Sequence, residues 1–198
     1  MTLILASQSA ARRALLSAAG VDFEAMPPMV DEDAAKAGFR ARGLDARDLA
    51  DALAELKALR VSLRHIGRLV LGADQTLALD DGTMFDKATS PAELRAQLAA
   101  LSGQTHSLYS AAVIAQAGQP LWRHIERVKL TMRPLSSDFL DDYVSNEGIS
   151  VMSAVGGYHI EGRGATLFSR IDGSHFAILG LPLLPLLAHL RTIGLMPV

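Results

Sequence analysis

The chain reads as an α/β protein, and three observations predict it. Short apolar runs, Leu3–Ala6 and Leu69–Leu71, have the length and composition of strands buried on both faces. Leu49, Leu53, Leu56, Leu59 and Leu63 recur at three- and four-residue spacing, which predicts a long amphipathic helix over Ala46–His65. The two patterns alternate through all 198 residues, with no internal repeat, low-complexity segment or flexible linker between them. That length can bury a sizeable core and is assigned as one domain, 1–198. If it divides into lobes they are interleaved, and the middle hairpins form the smaller one.

Composition narrows the function classes. Hydrophobic residues make up 49% and charged residues 20%, the balance of a globular chain. A net charge of −2 gives no field suited to a nucleic-acid polymer. Cysteine is absent, which excludes disulfides, thiolate catalysis and cysteine metal sites. Leu3–Ala6 is too short for a signal peptide core and lacks a cationic start. Phe176–Leu190 is apolar but contains Pro182, Pro185 and His189 and falls short of a membrane span. A soluble cytoplasmic protein with no membrane partner is expected.

Taken in order, the first strand enters Ser7–Arg13, and Ala14–Ala19 is helical with Gly20 as its stop. Ser7 or Ser9 is the expected N-cap. Unpaired first-turn N–H groups and the helix dipole suit an anion there, and Arg12 and Arg13 can add phosphate contacts. Val21–Val30 reads as a second strand interrupted at Pro27-Pro28. Asp31-Glu32-Asp33 is either a metal or base cluster or the favourable charge of a helix start. Gly38–Leu44 reads as a loop, and Lys57 falls on the polar side of the long helix, where solvent is the default.

Leu69–Lys87 organises the rest. Its first strand is expected to end at Gly72, placing Asp74 at a strand end, before the pattern resumes at Leu77 and Leu79. Asp80-Asp81-Gly82 signals a turn, and Asp86 and Lys87 follow the returning strand. A carboxylate facing a lysine across a hairpin can hold one phosphate or metal; a strand end with a solvated lysine is the plainer reading. Further on, Ser90-Pro91 starts a helix ending at Gly103. His106–Gln116 and Leu121–Met132 form a hairpin, and Ser136-Ser137-Asp138 caps a helix running to Val144. Met152–Gly157 is a loop, Tyr158–Ile171 a strand bulged around Gly162 and Gly164, and Leu183–Thr192 the last helix.

Three stretches together resemble the Maf family of nucleoside triphosphate pyrophosphatases: Leu3–Leu16, Gly72–Lys87 and Ile160–Leu183. The resemblance spans nearly the whole chain in the right order. It implies an elongated mixed sheet with flanking helices and two lobes around a central cleft. It also implies hydrolysis of a nucleoside triphosphate to the monophosphate and pyrophosphate with a divalent cation, Mg or Mn, and it carries a homodimer as the family expectation. Residue by residue, the catalytic carboxylate falls on Asp74 and the lysine of Gly-Lys-Pro on Lys87, here within Asp86-Lys87-Ala88. The first-loop serine falls on Ser9, a retained arginine on Arg12 and the helix lysine on Lys57. Asp31 and Glu32, with Asp74, are the expected metal ligands.

Three departures bear on specificity. Many members write Ser-Pro-Arg-Arg where this chain has Ser9-Ala10-Ala11-Arg12, so an arginine is lost at Ala11. Gln75 stands for the usual threonine after the catalytic Asp, and Glu161 for a glutamine. The changes at Gln75 and Glu161 are similar to the branch acting on 7-methyl-GTP, although that branch carries an aromatic residue where Ala11 stands. Glu161 is an acceptor suited to the N–H edge of guanine, whereas Gln75 both donates and accepts.

The residues make chemical sense for this reaction. Attack at the α-phosphorus must overcome the repulsion of a polyanion, and Arg12, Lys57 and Lys87 with a divalent cation can spread that charge. Asp31, Glu32 and Asp74 can hold the cation and orient or deprotonate water. Two rival readings are a nucleotide-binding regulator of septum formation with little turnover and a phosphatase acting on monoesters. Pyrophosphate release separates them, since a binder yields no product and a phosphatase yields orthophosphate.

Overall fold

A computed structural model describes residues 2–197. Among these residues, seven strands form one mixed sheet in the order β2-β1-β3-β5-β6-β7, with β4 paired to β3. The strands are β1 (Leu3–Ala6), β2 (Phe23–Met26), β3 (Val70–Leu79), β4 (Met84–Phe85), β5 (Thr105–Gln116), β6 (Gln119–Met132) and β7 (Phe168–Asp172). β1 runs parallel to β2 and β3, whereas β4 and β7 run antiparallel to their neighbours. The helices are α1 (Ala10–Ala18), α2 (Glu32–Ala41), α3 (Ala46–Ser62), α4 (Pro91–Leu101), α5 (Ser137–Val151), α6 (His175–Ile178) and α7 (Leu183–Thr192).

The chain separates into two interleaved compact units, Met1–Gln75 with Tyr109–Glu126 and Ser174–Val198, and Thr76–Leu108 with Arg127–Gly173. In the first unit the period of two along the strands decides what each face meets. Leu3, Leu5, Leu71 and Ala73 pack with Leu16 of α1 and Leu186 and Leu190 of α7. Ile4, Ala6 and Val70 turn the other way, toward Val61 of α3. Ala50, Ala54 and Ala58 of α3 meet Ala111, Val113 and Ala115 of β5, so small side chains line both surfaces. The approach is closest at Gly72, where an added Cβ would lie 2.2 Å from the Ala54 carbonyl oxygen and 2.6 Å from the Ala58 amide nitrogen. Glycine there lets α3 lie directly on β3, one turn from Lys57.

In the second unit α4 and α5 bury Leu94, Leu98, Leu101, Leu140 and Tyr143. His106 is fully buried, with Nε2 2.8 Å from the Tyr158 hydroxyl and Phe168 beside both rings.

Several sequence expectations change. β3 is one continuous strand through Asp74, so that carboxylate lies mid-strand and not at an end. Residues 38–41 belong to α2, whose N-cap Asp31 and first-turn Glu32 and Asp33 are the acids of the preceding segment. α5 continues to Val151, seven residues past Val144. Tyr158–Ile171 is mostly not strand: 3₁₀ turns over Arg163–Leu167 precede the five-residue β7. At Gly164 an added Cβ would meet the His159 carbonyl at 2.5 Å, so the glycine serves a tight turn.

Candidate active site

The loop after β1 is built around serine. Ser9 is the N-cap of α1 and accepts the Arg12 amide at 3.3 Å, while Ser7 Oγ accepts the Ser9 amide at 3.2 Å. Arg12 then reaches across the unit. Its Nε donates to the Gly180 carbonyl at 2.9 Å, and its Nη1 donates to the Ala73 carbonyl at 2.9 Å and to Ser7 Oγ at 3.4 Å. Burial lowers the pKa of this guanidinium, with the Asp74 and Glu32 carboxylates opposing the shift. Ala11, by contrast, is exposed.

Period two turns Asp74 toward α3, and Lys57 comes down from that helix to meet it. Lys57 Nζ donates to Asp74 Oδ1 at 2.6 Å and lies 2.8 Å from Glu32 Oε1. Lys57 is 4% exposed and Asp74 6%, so the expected solvated lysine is instead a buried cation between two carboxylates. Breaking such a pair from one side would cost about 3–5 kcal/mol. An ammonium has three donors, and these two contacts leave one for a ligand oxygen.

The expected acidic triad is not assembled. Asp31 Oδ1 accepts the Ala34 amide at 3.0 Å, capping α2, because a carboxylate at that position satisfies an otherwise unpaired N–H. Among the described residues no three His, Asp or Glu side chains form a metal-binding group. Glu32 and Asp74 nevertheless converge on one cationic point. An all-oxygen set of two carboxylates fits Mg²⁺ or Mn²⁺, which complete their shells with water and phosphate oxygens.

Gln75, next on β3, faces the opposite way from Asp74. Its Nε2 donates to Ser110 Oγ at 2.9 Å and to the carbonyls of Ala177 at 2.8 Å and Ile178 at 3.1 Å. Ser110 lies outside the motif stretches, and Gly72 and Gly180 lie within them without a site role read from the sequence. Ser9, Arg12, Glu32, Lys57, Asp74 and Gln75 thus belong to the first unit. Lys87 and Glu161 belong to the second, where both are exposed, Lys87 after β4 and Glu161 in the turn before the 3₁₀ segment.

This framework has relatives. Residues 2–193 match the family described as Maf-like protein. The chain belongs to the Maf family. A nucleoside triphosphate pyrophosphatase from Sphingopyxis alaskensis is 50% identical over the full length of both chains. One of the same name from Caulobacter vibrioides is 52% identical over 98% of this chain and 96% of its own. A 7-methyl-GTP pyrophosphatase from Mesorhizobium japonicum is 48% identical over 97% of this Maf protein and 96% of its own length. Overall identity therefore does not separate the two names. A HAM1 protein from Coxiella burnetii shares the fold, with a TM-score of 0.52 at 14% identity, covering 98% of this chain and all of that one. Among the described residues no helix is long and apolar enough to cross a membrane.

Proposed function

We propose that this Maf protein hydrolyses a nucleoside triphosphate to the monophosphate and pyrophosphate, using Asp74 as the catalytic carboxylate. The observation that carries the reading is the buried Lys57 held between Asp74 and Glu32, within a chain half identical to full-length pyrophosphatases. Glu32 and Asp74 would hold the divalent cation, which when bound neutralises charge on the phosphate oxygens. Asp31 contributes by capping the helix that carries Glu32.

With Oδ1 occupied by Lys57, Asp74 has Oδ2 to accept a proton from water. The water oxygen bonds the α-phosphorus, the bond to the α–β bridging oxygen breaks, and pyrophosphate leaves. Lys57 holds Asp74 in place and offers its third N–H to the phosphates. Arg12 and the capped start of α1 bind the same chain of anions. Lys87 neutralises the leaving group, and Glu161 accepts hydrogen bonds from the guanine edge. Methylation at N7 makes that base cationic and strengthens the attraction, so 7-methyl-GTP or GTP is the favoured substrate. The two units act as one Maf-like domain, since β3, β5 and β6 contribute residues to both.

The test is a screen of canonical and N7-methylated triphosphates with Mg²⁺ or Mn²⁺, assayed for pyrophosphate. Pyrophosphate and monophosphate in equal amounts are expected. Orthophosphate as the primary product, or binding without product, would overturn the reading.

A further inference from the structure

Gln75 spends both N–H groups of its side-chain amide within the protein. Its nitrogen is surrounded by three oxygens: Ser110 Oγ, the Ala177 carbonyl and the Ile178 carbonyl. Ser110 is fully buried and gives its own proton to the Ala177 carbonyl at 2.6 Å, so toward Gln75 it is an acceptor. The two carbonyls admit only a donor, which fixes the amide orientation. Both N–H bonds of Gln75 are therefore committed to this cluster.

The segment so held ends at Gly180, whose carbonyl is one of the two that aim Arg12. Gly180 has φ +99°, and an added Cβ would lie 3.2 Å from Arg12 Nε. The other carbonyl belongs to Ala73, the residue before Asp74. Strand β3 and the segment Ala177–Gly180 are thus tied together twice, once by Gln75 with Ser110 and once by Arg12.

We infer that Gln75 and Ser110 are positioning residues: they staple Ala177–Gly180 to β3 and so aim Arg12 at the triphosphate, and Gln75 does not read the base. The inference rests on the pyrophosphatase reading for its kinetic part alone. It also shifts discrimination between bases away from Gln75.

The test compares Gln75→Met, which keeps the length but removes the donors, with Ser110→Ala and the double variant. Hydrogen exchange of the Ile178, Leu179 and Gly180 amides in the ligand-free protein reads the staple directly, whatever the enzyme does. About tenfold faster exchange is expected in each single variant, and the double variant should add little, since both residues serve one cluster. Turnover per folded molecule should fall by about tenfold for every triphosphate alike, with KM little changed, because a misaimed cation weakens the transition state for all bases. Ser110→Thr, which keeps the hydroxyl, should restore turnover toward wild type. Unchanged exchange, or a base preference that changes with Gln75→Met, would overturn the inference. Should Gln75→Met fail to fold, Gln75→Thr and Ser110→Ala are judged by the same criteria. A wild-type protein that releases no pyrophosphate would fail the pyrophosphatase reading, while the exchange result would still decide the staple.

Discussion

In the first unit, Lys57 and Asp74 are almost wholly buried and bound to each other, and Arg12 is tied to two carbonyls before any ligand arrives. In the second unit, Lys87 and Glu161 are exposed. Charges fixed in a low-dielectric setting act strongly and need no reorganisation, which suits groups that meet a developing charge in a transition state. Exposed charges are screened by solvent, and they suit contacts that strengthen when a ligand excludes water. In the proposed mechanism the buried group meets the attacked phosphorus, while the exposed group meets the leaving pyrophosphate and the base, and each role can be broken separately.

The largest effect is expected at Asp74. Asp74→Asn keeps the shape and can still accept from Lys57, but it loses the negative charge. Pyrophosphate release should fall by about 10²-fold or more, the scale of losing a general base, with the circular dichroism spectrum unchanged. Near-normal turnover would remove Asp74 from the chemistry. Arg12→Ala comes next. Losing charge-assisted bonds worth roughly 1.5–3 kcal/mol should lower kcat/KM by roughly ten- to a hundredfold. The loss should be equal for all bases, because phosphates carry no base information. An altered base preference would move Arg12 into the recognition group.

How far the sequence foretold this contrast depends on the distance between partners along the chain. The first strand and the Ser90-Pro91 helix start are local signals that stand where the sequence placed them; of the two candidate caps, Ser7 and Ser9, it is Ser9 that caps α1, which starts at Ala10 and not at Ala14. The local pattern ends β3 at Gly72 because Asp is a poor strand residue on its own. What allows it mid-strand is Lys57, 17 positions earlier. Gly38 suggested a loop, yet it sits inside α2 with open space around it, so neither packing nor a turn requires glycine there. The Tyr158–Ile171 pattern alternated as a strand does, but the tight turn at Gly164 depends on contacts with the His159 backbone that periodicity cannot show. Gln75 could be picked out by motif, whereas its partners lie 35, 102 and 103 residues away. Identity was readable there and orientation was not.

A smaller effect separates the exposed group. Glu161→Gln replaces a pure acceptor with an amide that also donates. Guanine N1–H and its 2-amino group would lose a charged acceptor common to both, while a pyrimidine carbonyl would gain a donor. The preference for 7-methyl-GTP or GTP over dTTP or UTP should narrow by about tenfold, with the better substrate still turned over. A wild-type preference for dTTP or UTP would end the assignment of Glu161 to guanine and leave Asp74 untouched.

The smallest effect tests whether the second unit carries buried ionisable groups of its own outside the site. Burial pushes the pKa of His106 down to about 4 from its ordinary value of 6.5, because an imidazolium in that apolar setting would lose its hydration. Its Nδ1 makes no hydrogen bond, so nothing offsets the cost of a second proton. The sign follows from the direction of the shift. Between pH 6.5 and about 4 the unfolded chain holds a proton on this residue that the folded chain refuses, so acid favours unfolding and stability declines as pH falls through that window. From pH 7 to 5.5 the loss should be about 1 kcal/mol, or a few degrees in melting temperature. Burial lowers His189 as well, in the first unit, and contributes with the same sign. His106→Gln isolates the second-unit part: it keeps a neutral polar group against Tyr158 but cannot take up the proton. Melting followed from pH 7 to 5.5 should show a shallower slope in the variant than in wild type. Equal slopes would mean that His106 is protonated as readily in the folded chain as in the unfolded one.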